Sequence, residues 1–167
     1  MRWKVLIESR PTRRSSRTRP EAGEPLSSTL GIREIHMRVG WASWSFESNS
    51  EWQVSDGEDC ISLTLSDGGG AFQLSSGRKE RGFVTPKDLN WCVEQLAGEW
   101  STPEFVTFGQ FSGVYVSSIH EGSYWRWWFL AGGPVLLRIT YNAAPEFKVL
   151  ELPQVETMLH SLRLENA

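Results

Sequence analysis

The chain contains three histidines and two cysteines, the residue types that most often hold a metal ion or attack a substrate. A zinc site needs His, Cys or carboxylate ligands at short, regular spacings. His36, His120 and His160 are far apart in the sequence, and neither Cys60 nor Cys92 is close to one of them. The spacing predicts no metal site, and both cysteines are expected to be small buried residues.

Two short patterns come closer to known catalytic motifs. Glu156 and His160 are four positions apart on a predicted helix, but the H-E-x-x-H pattern of helical zinc sites is absent, so a solvated pair is predicted. The stretch 109–113 places Ser112 one position too late for the nucleophile pattern G-x-S-x-G, and inside a strand. The sequence therefore predicts no catalytic residue, no cofactor and no enzyme activity.

Tryptophan is the unusual component, with nine in 167 residues. Trp and Arg are the residue types most enriched at binding hot spots. Two-residue loops at Glu121-Gly122 and Gly132-Gly133 would place Arg138 opposite Trp127, with Trp125 on the same face. Arg over Trp is a favourable contact, of about 0.5–2 kcal/mol. Trp125, Trp127 and Arg138 are the predicted binding patch; the alternative is that a helix covers them as core.

Strands and two helices are predicted to position this patch. Thr85 is a predicted helix N-cap, Pro86 the first helical residue and Asp88 an acidic residue facing the free N–H groups. Pro153 is expected in the first turn of a closing helix. The predicted strands are Val39–Phe46, Cys60–Leu65 and Ala71–Ser75 (a hairpin), an edge piece Glu104–Phe108, and the antiparallel set Phe111–Ile119, Ser123–Leu130 and Val135–Asn142.

Both faces of the three-stranded set carry many apolar residues, so neither face is expected to be exposed to solvent. With one helix available for each face, the sequence predicts an α+β fold. The predicted architecture is a three-layer α/β/α sandwich with an antiparallel sheet, in the order β-hairpin–α–β(3)–α.

Charge divides the chain unevenly. Residues 1–25 hold seven Lys/Arg and three Glu, a net charge of +4, whereas the rest of the chain has a net charge of −7. We predict a disordered basic N-terminal extension over residues 1–36 and a single domain over 37–167. Met37 is an alternative start site. No apolar run reaches the ~20 residues of a membrane span, and the absence of a secretory signal predicts a cytoplasmic protein.

The order of elements resembles the PsbP-like superfamily, which includes the Ran-binding Mog protein and the DcrB-like proteins. Gly82-Phe83-Val84-Thr85-Pro86 before the first helix, Phe111-Ser112-Gly113 at the start of the three strands and Met158-Leu159-His160-Ser161-Leu162 near the end carry the resemblance. It implies a three-layer α/β/α sandwich whose members act by binding other proteins rather than by catalysis. No binding residue of the family is carried over.

Three functions follow as hypotheses. The first is a non-catalytic protein-binding module, such as an adaptor, a chaperone or an immunity-type protein. The second is a small-ligand-binding protein or enzyme with a pocket between helix and sheet, which would require a cavity of at least roughly 300 Å³. The third is binding of nucleic acid or an anionic surface by the basic tail, the one part of the chain with the charge for it.

Overall fold

A computed structural model describes residues 36–165, which form ten strands and two helices. In chain order the elements are β1 (His36–Trp41), β2 (Trp44–Asn49), β3 (Trp52–Asp56), β4 (Ile61–Leu65), β5 (Gly70–Arg78), α1 (Pro86–Glu94), β6 (Glu104–Phe108), β7 (Phe111–His120), β8 (Ser123–Gly132), β9 (Val135–Ala143), α2 (Pro145–His160) and β10 (Arg163–Leu164). The predicted extension over residues 1–36 lies outside the described residues, apart from His36.

The strands form two antiparallel sheets. The larger sheet has seven strands in the order β3-β4-β5-β9-β8-β7-β6, and the smaller has the order β1-β2-β10. The β4–β5 hairpin, the edge strand β6 and the β7–β8–β9 set confirm the corresponding predictions. None of the helices in residues 36–165 is long and apolar enough to cross a membrane.

Two tight turns set the register of β7, β8 and β9. Glu121 and Gly122 both have positive φ, at 50° and 78°, as a two-residue hairpin loop requires. The predicted pairing of Ser118 with Trp125 is therefore confirmed. The second loop is one residue later than predicted, so Trp127 pairs with Thr140 rather than with Arg138. A shift of two residues keeps every side chain on its predicted face.

The start of α1 follows the predicted cap. Asp88 Oδ2 accepts hydrogen bonds from the Thr85 backbone N–H and from the Thr85 hydroxyl, both at 2.7 Å. The same oxygen forms an ion pair with Lys79 Nζ at 2.6 Å. Asp88 is fully buried. Burial alone would raise the pKa of Asp88, but the hydrogen bonds from Lys79 and Thr85 outweigh it and hold the pKa below its usual value. Lys79 directly follows β5, so this ion pair fastens the helix to the sheet.

The closing helix is longer than predicted. It begins at Pro145, which suits the first helical position. Pro153 is therefore inside the helix, and the prediction that it lies in the first turn was wrong. The Thr157 hydroxyl donates a hydrogen bond of 2.9 Å to the backbone carbonyl of Pro153.

The main core lies between the seven-stranded sheet and a layer built from α2 and the small sheet. Trp44 stacks on Phe46 at 6.1 Å, and Phe46 meets Phe72 of β5 edge to face at 6.1 Å. The helix is fastened to the small sheet by the Ser161 hydroxyl, which accepts the Glu47 N–H at 2.8 Å. The larger sheet thus has one face covered by both helix and strands.

The predicted three-layer α/β/α sandwich is wrong. Strands account for 52% and helices for 19% of the structure, which is mainly β with two antiparallel sheets and two helices. The prediction failed because Val39–Phe46 is not one strand. It turns at Ala42 and Ser43 to form β1 and β2, and this second sheet shares with α2 the face assigned to a helix alone. On the opposite face, the nine-residue α1 is only about 13 Å long.

A buried carboxylate holds α2 against the sheet. Glu151 is 2% exposed; its Oε1 accepts the Gly69 N–H at 3.0 Å, and its Oε2 accepts the Tyr141 hydroxyl at 2.9 Å. Burial and the hydrogen bond to Glu151 both raise the pKa of Tyr141, so the phenol stays protonated and donates. The strand turn at Gly69, β9 and α2 therefore meet at one carboxylate.

We expect Tyr141→Phe to lower the free energy of unfolding by about 1–3 kcal/mol, because it keeps the ring and removes one donor from a buried acceptor. Urea unfolding measures the change. A double-mutant cycle with Glu151→Gln should give a coupling of at least about 0.5 kcal/mol. Equal stability of Tyr141→Phe and the wild type would contradict this assignment.

Candidate functional site

The candidate site lies on the face of the seven-stranded sheet opposite to α2. Here α1 packs Leu89 and Cys92 against Phe129 and Leu136, forming a small second core. Trp127 touches the edge of this cluster and stacks on Phe129, with the ring centroids 5.9 Å apart and the planes 14° apart. The short helix thus covers one part of the face, and Trp127 packs against the covered part.

Beside α1, the three predicted site residues line one groove. Trp125 and Trp127 are half-buried, and Arg138 is exposed. The groove has a volume of about 220 Å³. Its wall consists of Cys60, Gln73, Leu74, Ser75, Trp125, Trp127, Arg138 and Thr140. Trp127 thus packs partly against the cluster under α1 and also lines the groove.

The predicted stacking of Arg138 on tryptophan is wrong. The two-residue shift of β9 places Thr140 beside Trp127 and Phe129 beside Arg138. Within residues 36–165 the Arg138 side chain has neither a hydrogen-bond partner nor an ion-pair partner. Its guanidinium is therefore left with its donors free at the mouth of the groove.

The arginine that does stack on aromatic rings is Arg126, on the opposite face. Its guanidinium lies 4.5 Å from the centre of the Tyr115 ring and 5.5 Å from that of Trp128. It also donates to Glu156 Oε1 at 2.7 Å. The predicted pair of Glu156 with His160 is wrong, because Glu156 turns to this arginine. Arg126 alternates with Trp125 and Trp127 along β8 and therefore points to the opposite face, where a buried guanidinium requires a carboxylate on the element that covers it.

The groove wall is mainly apolar and carries a single charge. Apart from Arg138 and the thiol of Cys60, its side chains are apolar, hydroxyl or amide. Gln73 and Thr140 face each other across β5 and β9, and Gln73 donates to the Ser62 hydroxyl at 3.0 Å. The arrangement offers hydrogen-bond donors and two indole surfaces around a single positive charge.

The second cysteine is not part of the groove. Cys92 is 6% exposed and lies on the face of α1 that packs against the sheet. Burial raises the pKa of its thiol, while the nearby charge of Arg138 lowers it in part. A protonated, covered thiol is a poor nucleophile, in agreement with the expected core role.

Comparison with known proteins places the fold but no function. No protein-family model and no curated protein matches the chain. Two solved structures are similar. A Bacteroides thetaiotaomicron protein has a TM-score of 0.56 and 17% identity over 74% of this chain and 45% of its own. LpqN, involved in cell envelope biogenesis of Mycobacterium tuberculosis, has a TM-score of 0.52 and 13% identity over 82% of this chain and 88% of its own.

At these identities the likeness is one of fold alone. The chain spans less than half the length of the Bacteroides protein that it matches. The groove residues must therefore be judged on their own chemistry.

Proposed function

We propose that this chain is a non-catalytic protein-binding module, of adaptor, chaperone or immunity type, that docks its partner on the groove beside α1. One observation carries the proposal: the half-buried Trp125 and Trp127 line one depression together with Arg138, whose guanidinium has no hydrogen-bond or ion-pair partner within residues 36–165. Trp and Arg in a partly enclosed pocket are the composition of binding hot spots.

The alternative, a small-ligand-binding protein or enzyme, has less support. Pockets for whole ligands measure roughly 300–1,000 Å³ and bury most of the ligand. The groove, at about 220 Å³, is below that range and opens onto the sheet surface. A depression of this size suits a side chain inserted by a partner better than it suits a complete ligand.

We expect Trp125→Ala to weaken partner binding by about 30-fold or more, the loss that corresponds to a hot spot of about 2 kcal/mol. Partners are captured from the native host, identified by mass spectrometry and titrated in purified form against each variant. Trp125 is the better site for this test, because Trp127 also packs against the core under α1.

Trp91→Ala is the matched control. Trp91 is 42% exposed on α1 and is not part of the groove wall. It should bind the partner as the wild type does, and both variants should keep the wild-type melting temperature. Unchanged binding by Trp125→Ala, or an equal loss in Trp91→Ala, would place the interface elsewhere and overturn the proposal.

A further inference from the structure

We infer that the partner inserts an acidic side chain, Asp or Glu, into the groove and pairs it with Arg138. The inference rests on the proposed function and adds the chemistry of the partner to it. The first observation is the state of Arg138. Its guanidinium is exposed and has no acidic partner within residues 36–165, and the groove wall contains no carboxylate.

Arg126 shows how this chain treats a guanidinium that is covered by another element. Its side chain is 15% exposed under α2, and a carboxylate, Glu156, meets it at 2.7 Å. A partner that closes over the groove would bury Arg138 in the same way. Burying a charge without its counter-charge is costly, so the partner must bring the carboxylate that the groove wall lacks.

The other groups around Arg138 also favour a carboxylate. A guanidinium can meet it with two parallel N–H···O bonds. The indole N–H groups of Trp125 and Trp127 have no acceptor within the described residues, and an indole N–H can only donate. A carboxylate, which accepts and cannot donate, complements such a wall.

The size of the groove indicates that this carboxylate belongs to a protein. About 220 Å³ suffices for an acidic side chain and part of a neighbour, with its methylene stem against the indoles. The rest of the partner would then lie on the uncharged strip of hydroxyl and amide side chains that continues across β5 and β4, formed by Ser62, Thr64, Gln73 and Ser75. We therefore commit to an acidic protein segment rather than to a free carboxylic acid.

The test is a selection from a phage-displayed library of random 12-residue peptides on the full-length chain. Wild type should enrich peptides with Asp or Glu beside an apolar residue. Arg138→Glu should lose these peptides and enrich Lys- or Arg-containing ones. Lys87→Glu is the matched control, since it makes the same charge reversal on the exposed surface of α1, outside the groove, and should select as the wild type does.

Affinities of the best acidic peptide give the magnitude. Arg138→Ala should weaken its binding by about 30-fold or more, as expected when one member of a covered charge pair is removed. Arg138→Lys should bind more tightly than Arg138→Ala but more weakly than the wild type, because lysine keeps the positive charge and lacks the two parallel N–H donors of the guanidinium.

The outcomes separate the two proposals. Peptides that bind, lose affinity in Trp125→Ala and show no preference for acidic residues would refute the acidic partner and leave the docking groove intact. Selected peptides that are all indifferent to both Trp125→Ala and Arg138→Ala would contradict the groove itself. Acidic peptides that bind Lys87→Glu as weakly as Arg138→Glu would show a general charge effect and also refute the inference.

Discussion

Replacing Gly113 by Ala should lower the free energy of unfolding by about 3 kcal/mol or more. A Cβ atom on Gly113 would lie 1.9 Å from the carbonyl oxygen of Phe129 and 2.9 Å from its carbonyl carbon. These are backbone atoms of the neighbouring strand β8, so no side-chain rotation relieves the overlap. Overpacking at a rigid site costs about 1–3 kcal/mol, and this contact lies at or beyond the upper end.

Chemical denaturation measures the change, with Gly122→Ala as control. Gly122 has φ of 78° in the β7–β8 turn, and a Cβ there would meet nothing within 4 Å. Its substitution should cost only the backbone strain of a left-handed conformation, about 1–2 kcal/mol. If both variants lose the same stability, close approach of the strands is not the reason for glycine at position 113.

The same substitution bears on the groove, because β8 carries both of its tryptophans. Gly113 faces Leu130 in the β7–β8 register, and Phe111 beside it is fully buried. The short motif Phe111-Ser112-Gly113 thus has a physical explanation: a core anchor is followed two residues later by a site where two backbones meet. Trp125 and Trp127 lie on the same strand as Phe129, the residue whose backbone Gly113 approaches.

The sequence predicted the elements that local chemistry determines. The N-cap at Thr85 and the Glu121-Gly122 loop are short-range signals, and both were confirmed. The face of the sheet on which each side chain lies was also predictable, because successive side chains along a strand point to opposite faces. Even with the β8–β9 register wrong by two residues, Trp125, Trp127 and Arg138 therefore lie on one face.

Features that depend on long-range contacts were missed. The turn at Ala42-Ser43 lacks the Gly, Asn or Pro that usually reveals a hairpin, so β1 and β2 read as one strand. The small sheet is completed by β10, only two residues long and more than a hundred positions away. The sequence also could not show that α1 packs on Phe129 and Leu136 and contacts Trp127, while Trp125 lies in the groove.

Asp88→Asn should be the second most damaging of these changes, with a loss of about 2–3 kcal/mol of unfolding free energy. It removes the charge that Lys79 meets at 2.6 Å and weakens the acceptor that caps Thr85. Breaking a buried ion pair costs about 3–5 kcal/mol, and Lys79 is 21% exposed, which reduces the figure. Glu94→Gln, the same change at an exposed position of α1, should have little effect.

The pH dependence gives an independent check. The pKa of Asp88 is lower in the folded protein than its usual value of 3.8, so the unfolded chain binds a proton at higher pH than the folded chain does. The stability that Asp88 contributes is therefore fully present above about pH 5. It declines as the pH falls through the unfolded value toward the folded one. The stability difference between wild type and Asp88→Asn should be constant from pH 7 to about pH 5 and shrink toward pH 3.

Hydrogen exchange locates the loss. Because the Lys79–Asp88 pair fastens α1 to the end of β5, the amides of α1 should exchange faster in Asp88→Asn while those of β7 and β8 keep their protection. Through Leu89 and Cys92 the helix packs against the cluster that also contacts Trp127 of the groove wall. Acidic peptides should accordingly bind Asp88→Asn more weakly, although Asp88 is outside the groove wall. Uniformly faster exchange across both sheets would instead show that Asp88 supports the whole fold and does not specifically hold this helix.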